Sequence, residues 1–114
     1  MATDRELITQ AVQDCFGGRY EADVARMDRA LHPDLVKRPP AEDDEAILTK
    51  EPMLQACAEG EGTRAADRWV KIGIVDACGG IVSAVVRPAP YREYLHLVRT
   101  GDGWKIVDAL WLPQ

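Results

Sequence analysis

The sequence predicts a single α+β domain over residues 1–114, in which three helices of the N-terminal half pack on a cone-shaped, curved antiparallel sheet. Apolar residues recur about every four positions in the first half, as in helices, and every second position from about residue 68 onward, as in strands. Glycine-containing turns separate the alternating segments at hairpin spacing. Hydrophobic residues make up 46% and charged residues 29% of the chain, which is typical of a folded globular domain.

Two helices are predicted at the start of the chain. The first runs from an N-cap at Thr3 to the pair Gly17-Gly18, because glycine readily adopts the left-handed conformation that ends a helix. The second is expected to end at Pro33, whose ring disfavours helical geometry in the residue before it. Its apolar stripe consists of Tyr20, Val24, Met27 and Leu31.

A short strand is predicted at 35–38, followed by a solvated loop over 39–45, where two prolines and four carboxylates cannot pack. A third helix is predicted between an N-cap at Thr49 and a stop at Gly60. The remaining chain alternates with period two and predicts four strands joined by tight turns, with a wider bend at Pro88 and Pro90. These strands are expected at about 68–78, 81–87, 91–99 and 104–112.

Charge and motif content exclude several classes of function. The net charge of -5 argues against nucleic acid and anionic membranes, since both repel an acidic surface. No segment resembles a signal peptide or reaches transmembrane length, so a cytoplasmic location is expected. Three separated cysteines and two histidines match no disulfide framework or metal-ligand spacing, and no glycine pair matches a nucleotide loop. We therefore expect no metal and no cofactor.

Two segments carry a family likeness: FGGRYEADVARMDRALHPDLVKR and YLHLVRTGDGWKIVDALW. Together with the order of elements, they resemble the nuclear transport factor 2-like (cystatin-like) superfamily, and within it the group labelled putative lumazine-binding. The likeness spans most of the chain outside residues 39–66. It implies a cone with a pocket at its mouth, on a scaffold that hosts isomerases, dehydratases, cyclases, hydrolases and non-catalytic binders.

The resemblance also allows a comparison with ketosteroid isomerase, which uses a general-base carboxylate and an oxyanion hole formed by a tyrosine and a protonated aspartate. Aligned on the helix ends and the final hairpin, the tyrosine falls near Cys15, the base near Arg38 and the aspartate near Leu95. None of the three side chains is present, so that chemistry is not expected. The alignment implies Cys15 and Leu95 as pocket positions.

The last predicted strand holds an acid within an apolar row. By period two, Asp108 shares a face with Trp104, Ile106, Leu110 and Leu112, so Asp108 and Leu110 are predicted to contact a ligand. A structural alternative is that Asp108 meets an arginine or backbone donors from the same sheet.

Other candidate ligand contacts are His32 and Trp69. His32 lies where the second helix meets the first strand, although a histidine at a helix C-terminus is also favoured by the macrodipole. Trp69 could stack on a planar ligand or fill the core. Cys15 is considered as a nucleophile, but without a basic neighbour in sequence it is more simply a core residue.

Two functional hypotheses follow. The first is a small-molecule-binding pocket protein of unknown ligand, with acid-base catalysis through Asp108 as an option; whether the protein is an enzyme stays open. The second is a non-catalytic homodimeric interaction module whose cone is filled by its own side chains. Both include a homodimer through the outer sheet face, because Tyr94, His96 and Val98 alternate there, while Glu93, Leu95 and Leu97 point the other way.

Overall fold

The protein is described by a computed structural model covering residues 1–39, 47–88 and 91–113. The predicted loop lies outside the described residues beyond Pro39, and so does Pro90 of the predicted bend. The elements, in chain order, are α1 Asp4–Glu21, α2 Val24–Ala30, β1 Leu31–Arg38, β2 Leu48–Thr49, α3 Lys50–Ala58, a 3₁₀ turn Glu61–Arg64, β3 Val70–Cys78, β4 Ile81–Pro88, β5 Tyr91–Thr100 and β6 Gly103–Pro113.

The six strands form one curved, unclosed sheet in the order β2-β1-β6-β5-β4-β3, which confirms the predicted α+β class. Neighbouring strands are antiparallel except β1 and β6, which run parallel, so the sheet is mixed rather than purely antiparallel. Between β2 and β3 the chain passes from one edge of the sheet to the other, and it returns through β4 and β5 so that β6 lies beside β1. Helix α3 belongs to this connection and packs against β1.

Helix α1 is longer than predicted. Thr3 caps it as expected, its hydroxyl accepting the backbone N–H of Glu6 at 3.1 Å. The helix then runs through Gly17 and Gly18 to Glu21, and the following residue, Ala22, adopts the left-handed conformation at φ 55°. The predicted stop at the glycines was wrong because Gly18 serves close packing: a Cβ there would lie 2.9 Å from the backbone nitrogen of Met27 in α2.

Helix α2 is shorter than predicted and β1 is longer. The helix is capped by Asp23, whose carboxylate accepts the backbone N–H of Arg26, and it ends at Ala30. Strand β1 begins at Leu31, and Pro33 lies inside it rather than beyond a helix end. The register against β6 shifts between Leu31 and Val36, and this irregularity accommodates a proline that has no N–H to donate.

Helix α3 follows Thr49 as predicted and is succeeded by Gly60 at φ 76°. Two elements were not predicted, the two-residue strand β2 and the 3₁₀ turn. The predicted strands β3, β4, β5 and β6 are confirmed, with their ends within two residues of the predicted ones.

The face that β6 presents changes along its length. Leu97 of β5 pairs with Ile106 of β6, whereas the preceding residue of β5, His96, pairs with Asp108. Val107 of β6 is therefore an extra residue without a partner on β5. This β-bulge reverses the alternation. Trp104 and Ile106 are buried, whereas Asp108 is only partly covered and the next outward residues, Leu110 and Leu112, are exposed. The prediction of one continuous inward row on this strand was therefore wrong.

The core fills the space between the helices and the inner sheet face. It includes Ile8, Val12 and Phe16 of α1 and, from the sheet, Val86, Leu95 and Leu97. Leu7 of α1 lies outside this core and is exposed. Within the described ranges, no helix is long and apolar enough to cross a membrane.

Candidate functional site

A cavity of about 380 Å³ opens between α3, the 3₁₀ turn and the adjoining ends of β1, β5 and β6. Its volume falls in the range of small-molecule sites. Apolar and charged side chains both line it, and the part lined by the buried residues Lys37 and Glu93 is called its floor. The lining residues are Arg19, Met27, Lys37, Leu48, Pro52, Met53, Gln55, Ala56, Cys57, Glu59, Glu61, Gly62, Tyr91, Glu93 and Trp111.

The floor of the cavity holds a buried ion pair. Lys37 of β1 donates from Nζ to Oε1 of Glu93 on β5 at 2.5 Å. The two residues are only 7% and 2% exposed. Lys37 lies on the same face of β1 as the buried Leu35, and Glu93 lies on the same face of β5 as Leu95, so strand alternation turns both charges inward.

Two aromatic side chains, Tyr91 and Trp111, line the cavity together with this pair. Trp111 of β6 is the direct cross-strand neighbour of Glu93, and its ring centroid lies 6.0 Å from Lys37 Nζ. Tyr91 packs edge-on against Trp111 with centroids 5.7 Å apart, and the guanidinium of Arg19 lies over the Tyr91 ring at 5.9 Å. The cationic groups therefore face aromatic π surfaces, which is a favourable arrangement.

Behind the ion pair, the cone narrows to a void of about 10 Å³ lined in part by Cys15, Leu95, Lys37 and Glu93. Burial raises the pKa of the Cys15 thiol to about 12, with a lowering effect of Lys37 and a raising effect of Glu93 as smaller contributions. A thiol held neutral in this way is a poor nucleophile. Cys15 and Leu95 line the closed end of the cone and do not line the cavity.

His32 and Trp69, also predicted as ligand contacts, lie elsewhere. Nδ1 of His32 accepts the backbone N–H of Asp34 at 3.0 Å in a local turn of β1. Trp69 precedes β3 and is 55% exposed. Neither lines the cavity.

Asp108 and Leu110 lie on the outer sheet face. Asp108 Oδ1 is 2.8 Å from Nδ1 of His96, with about half of each side chain exposed. Ser83 pairs with His96 on the next strand, so a hydroxyl, an imidazole and a carboxylate follow one another across the sheet. Among the described residues Ser83 makes no hydrogen bond to His96. This row is therefore a surface imidazole–carboxylate contact beside a hydroxyl, without the hydrogen bond that activates a serine.

The structure thus brings none of the six predicted ligand contacts into the cavity, and their assignment stays a prediction. The residues it does bring together were missed, although part of the signal was present. Glu93 shares a face with Leu95 and Leu97, and Lys37 shares one with Leu35. An ionisable residue on a buried strand face requires a partner, and two such residues of opposite charge indicate a pair. No sequence signal indicated Trp111, whose orientation depends on the bulge.

The floor of the cavity offers hydrogen-bonding groups. Over the described ranges, no group of three His, Cys, Asp or Glu residues is placed to hold a metal ion. The floor instead combines an ammonium donor and a carboxylate acceptor whose charges cancel. Such a pair can orient a polar ligand, and the Glu93 carboxylate is a group that can accept a proton.

The sequence profile of a family described as "Putative lumazine-binding" matches residues 3–112 of the chain. No curated protein matches the chain. Solved structures share the fold at low identity. An NTF2-like (nuclear transport factor 2-like) protein of unknown function from Silicibacter pomeroyi is 14% identical, with all of both chains covered and a TM-score of 0.74.

Two further structures have the same architecture. An NTF2-like protein from Cytophaga hutchinsonii is 17% identical, with 99% of this chain and 100% of that chain covered and a TM-score of 0.76. A putative ketosteroid isomerase from Shewanella frigidimarina is 12% identical, with 96% and 97% covered and a TM-score of 0.64. At these identities the likeness shows the fold alone.

Proposed function

The chain belongs to the putative lumazine-binding family of the nuclear transport factor 2-like superfamily, and from that premise we propose that its cavity binds a small, flat, polar heterocycle. The observation that carries the proposal is the buried Lys37–Glu93 pair on the cavity floor. Binding sites of this kind combine largely apolar walls with a few placed polar groups. The family description supports a heterocycle as the ligand class.

Stability alone does not account for the pair. Removing two charges from water costs several kcal/mol per ion, and replacing a buried pair by apolar residues of similar volume is often neutral or stabilising. Lys37 and Glu93 therefore occupy core positions where apolar residues would serve the fold equally well. We take their role to be recognition of a ligand that meets both charges at once.

The charges on the floor also limit the ligand. Lys37 and Glu93 neutralise each other, so neither a strong anion nor a strong cation gains net attraction there. A neutral molecule with both acceptors and donors on its edge fits this pair, and its ring faces can lie against Trp111 and Tyr91. A reaction in this cavity would use Glu93 as the base, in place of the predicted Asp108.

The test is a thermal-shift screen of flat heterocycles with three forms of the protein. A ligand at 100 times its Kd adds about 2.7 kcal/mol of stability, which for a domain of this size raises the Tm by roughly 10 °C. We expect such shifts for the wild type and for Asp108→Asn, and none for Lys37→Met/Glu93→Leu. Equal shifts in all three proteins would contradict the proposal.

A second candidate role, self-association, is supported by the outer sheet face. Tyr94, Leu110 and Leu112 are each about half exposed there. We propose that a second copy of the chain covers this face, in a cytoplasmic homodimer. Light scattering at micromolar concentration should give the dimer mass for the wild type and the monomer mass for Leu110→Lys; a wild-type monomer would contradict this role. The open cavity favours the pocket hypothesis over a module with a filled core.

A further inference from the structure

The outer sheet face is sorted into rows that run across the strands. Strand alternation turns Arg92, Tyr94 and His96 of β5 outward, because the residues between them are buried. Each of the three is the β5 member of a different row, and neighbouring rows lie about 7 Å apart along the strands. The pairing of β5 with the strands beside it shows which residues complete each row.

The middle row is apolar. Val85 of β4 pairs with Tyr94, and Tyr94 pairs with Leu110 of β6. Tyr94 and Leu110 are 49% and 51% exposed. The row ends on β1 at Arg38, which pairs with Leu110. Val85, Tyr94 and Leu110, here called the apolar row, form the centre of the face that a second copy covers in the proposed homodimer.

A basic row lies on one side of the apolar row. Lys71 of β3 pairs with Arg87 of β4, and both are exposed. Arg92 of β5 continues this line, because the residue after it pairs with the residue before Arg87. None of these three cations forms an ion pair with a described residue. Like charges opposite one another across strands are destabilising, so this row lacks anions that would offset it.

An acidic row lies on the other side of the apolar row. Asp76 of β3 pairs with Ser83 of β4, and Ser83 pairs with His96. His96 in turn pairs with Asp108 of β6. Asp76 is exposed and forms no ion pair with a described residue, while Asp108 is half exposed beside His96. The outer face therefore carries cations on one side of its apolar centre and carboxylates on the other.

This separation of charge decides how two copies can face each other. Homodimers have two-fold symmetry, so each copy uses the same face. A two-fold axis parallel to the strands keeps every row level with itself and places the basic row of one copy on that of the other. An axis across the strands, along the apolar row, exchanges the two sides and places each basic row on an acidic row. Facing sheets lie about 10 Å apart, a gap that Lys and Arg side chains can span.

Resting on the self-association role proposed above, we infer that the two copies pack about an axis along the apolar row. The apolar rows of the two copies contact each other at the centre. Lys71, Arg87 and Arg92 of each copy then face the acidic row of the other, with Asp76 and Asp108 as the anions. The ligand of the cavity plays no part in this arrangement, since the cavity opens on the other side of the sheet.

Two charge-reversal variants and their mixture test this arrangement by sedimentation equilibrium. One variant is Lys71→Glu/Arg87→Glu, and the other is Asp76→Lys/Asp108→Lys. Each variant alone places like charges opposite each other, so its dimer Kd should rise about tenfold or more. An equal mixture of the two should form a heterodimer with a Kd near that of the wild type, because lysines again meet carboxylates. The control Arg5→Glu/Arg64→Glu makes the same charge change as the first variant, at exposed positions outside the sheet, and should dimerise like the wild type.

The outcomes separate this arrangement from self-association itself. A wild-type dimer whose two variants dimerise equally well, or whose mixed variants stay monomeric, would overturn the arrangement and leave the homodimer standing. A wild-type monomer would overturn both. Far-UV circular dichroism checks that each variant is folded. Should one fail to fold, the wild type alone still decides: its dimer Kd should rise several-fold from about 50 mM to about 500 mM NaCl, since salt screens attraction between opposite charges. A dimer that tightens with salt would show that like rows face each other and would overturn the inference.

Discussion

Replacing Lys37 by methionine should destabilise the protein severely. Methionine keeps the length of the side chain but leaves the Glu93 carboxylate, 2% exposed, without its cation. Breaking a buried ion pair from one side costs about 3–5 kcal/mol. Because small domains are stable by only about 5–15 kcal/mol, this variant should lose a large share of its stability and roughly 15 °C of Tm.

The matched control is the double variant Lys37→Met/Glu93→Leu. It removes both charges, so no group is stranded, and its unfolding free energy should return to the wild-type value or exceed it by about 1–4 kcal/mol. Urea unfolding of the wild type, both single variants and the double variant completes a double-mutant cycle. A single variant within about 1 kcal/mol of the wild type would show that the pair is not isolated from water, and the reasoning from burial would fail.

Three further predictions concern the rest of the fold. In chemical denaturation, Gly18→Ala should lower the unfolding free energy by about 1–3 kcal/mol, since the new Cβ would lie 2.9 Å from the Met27 nitrogen. The control Gly17→Ala should be near neutral, because its Cβ would meet the flexible end of the Arg26 side chain. Asp108→Asn should change the unfolding free energy by less than about 1 kcal/mol, because its pair with His96 is half exposed; a loss of several kcal/mol in the same assay would contradict the outer placement. Burial raises the pKa of the Cys15 thiol from 9.0 to about 12, so this proton is bound more tightly in the folded state than in the unfolded state. The stability present below pH 9 should therefore be lost as pH rises toward 12, by up to about 4 kcal/mol. Cys15→Ala should show a shallower alkaline decline of Tm than the wild type, and equal slopes would count against this assignment.

Much of the fold was predictable because local patterns decide it. The change from period four to period two located the helices and strands, and the glycine turns fixed two hairpins. The errors at Gly17-Gly18 and Leu31 have one physical origin. Glycine can end a helix or allow a neighbouring backbone to pack closely, and a leucine two residues before a proline can end a helix or begin a strand. Only the packing of α1 against α2 decides the first, and only the pairing of β1 with β6 decides the second.

The face of β6 was predicted wrongly for a different reason. Side chains alternate with period two only along an unbroken strand, and one extra residue at Val107 reverses the direction of every later side chain. Nothing in the local sequence marks that bulge, because it is set by pairing with β5. The reversal moves Asp108 outward and turns Trp111 toward the cavity.

The site was only partly predictable. The inward direction of Glu93 followed from its alternation with Leu95 and Leu97, and the structure confirms it. Its partner Lys37 is 56 residues away in sequence, and their contact requires β1 to reach the sheet beside β6. Local periodicity can indicate that a buried charge needs a partner, but the topology decides which residue supplies it.

A ¹H–¹⁵N spectrum of the tryptophan indoles during a lumazine titration shows directly whether the cavity binds a heterocycle. The chain has three tryptophans, and Trp111→Phe identifies the Trp111 signal by its loss. Because Trp111 lines the cavity, saturating lumazine should shift the Trp111 N–H signal, while the signal of the exposed Trp69 stays in place. An unmoved Trp111 signal at saturation, with or without a shift at Trp69, would contradict the binding of a heterocycle in this cavity.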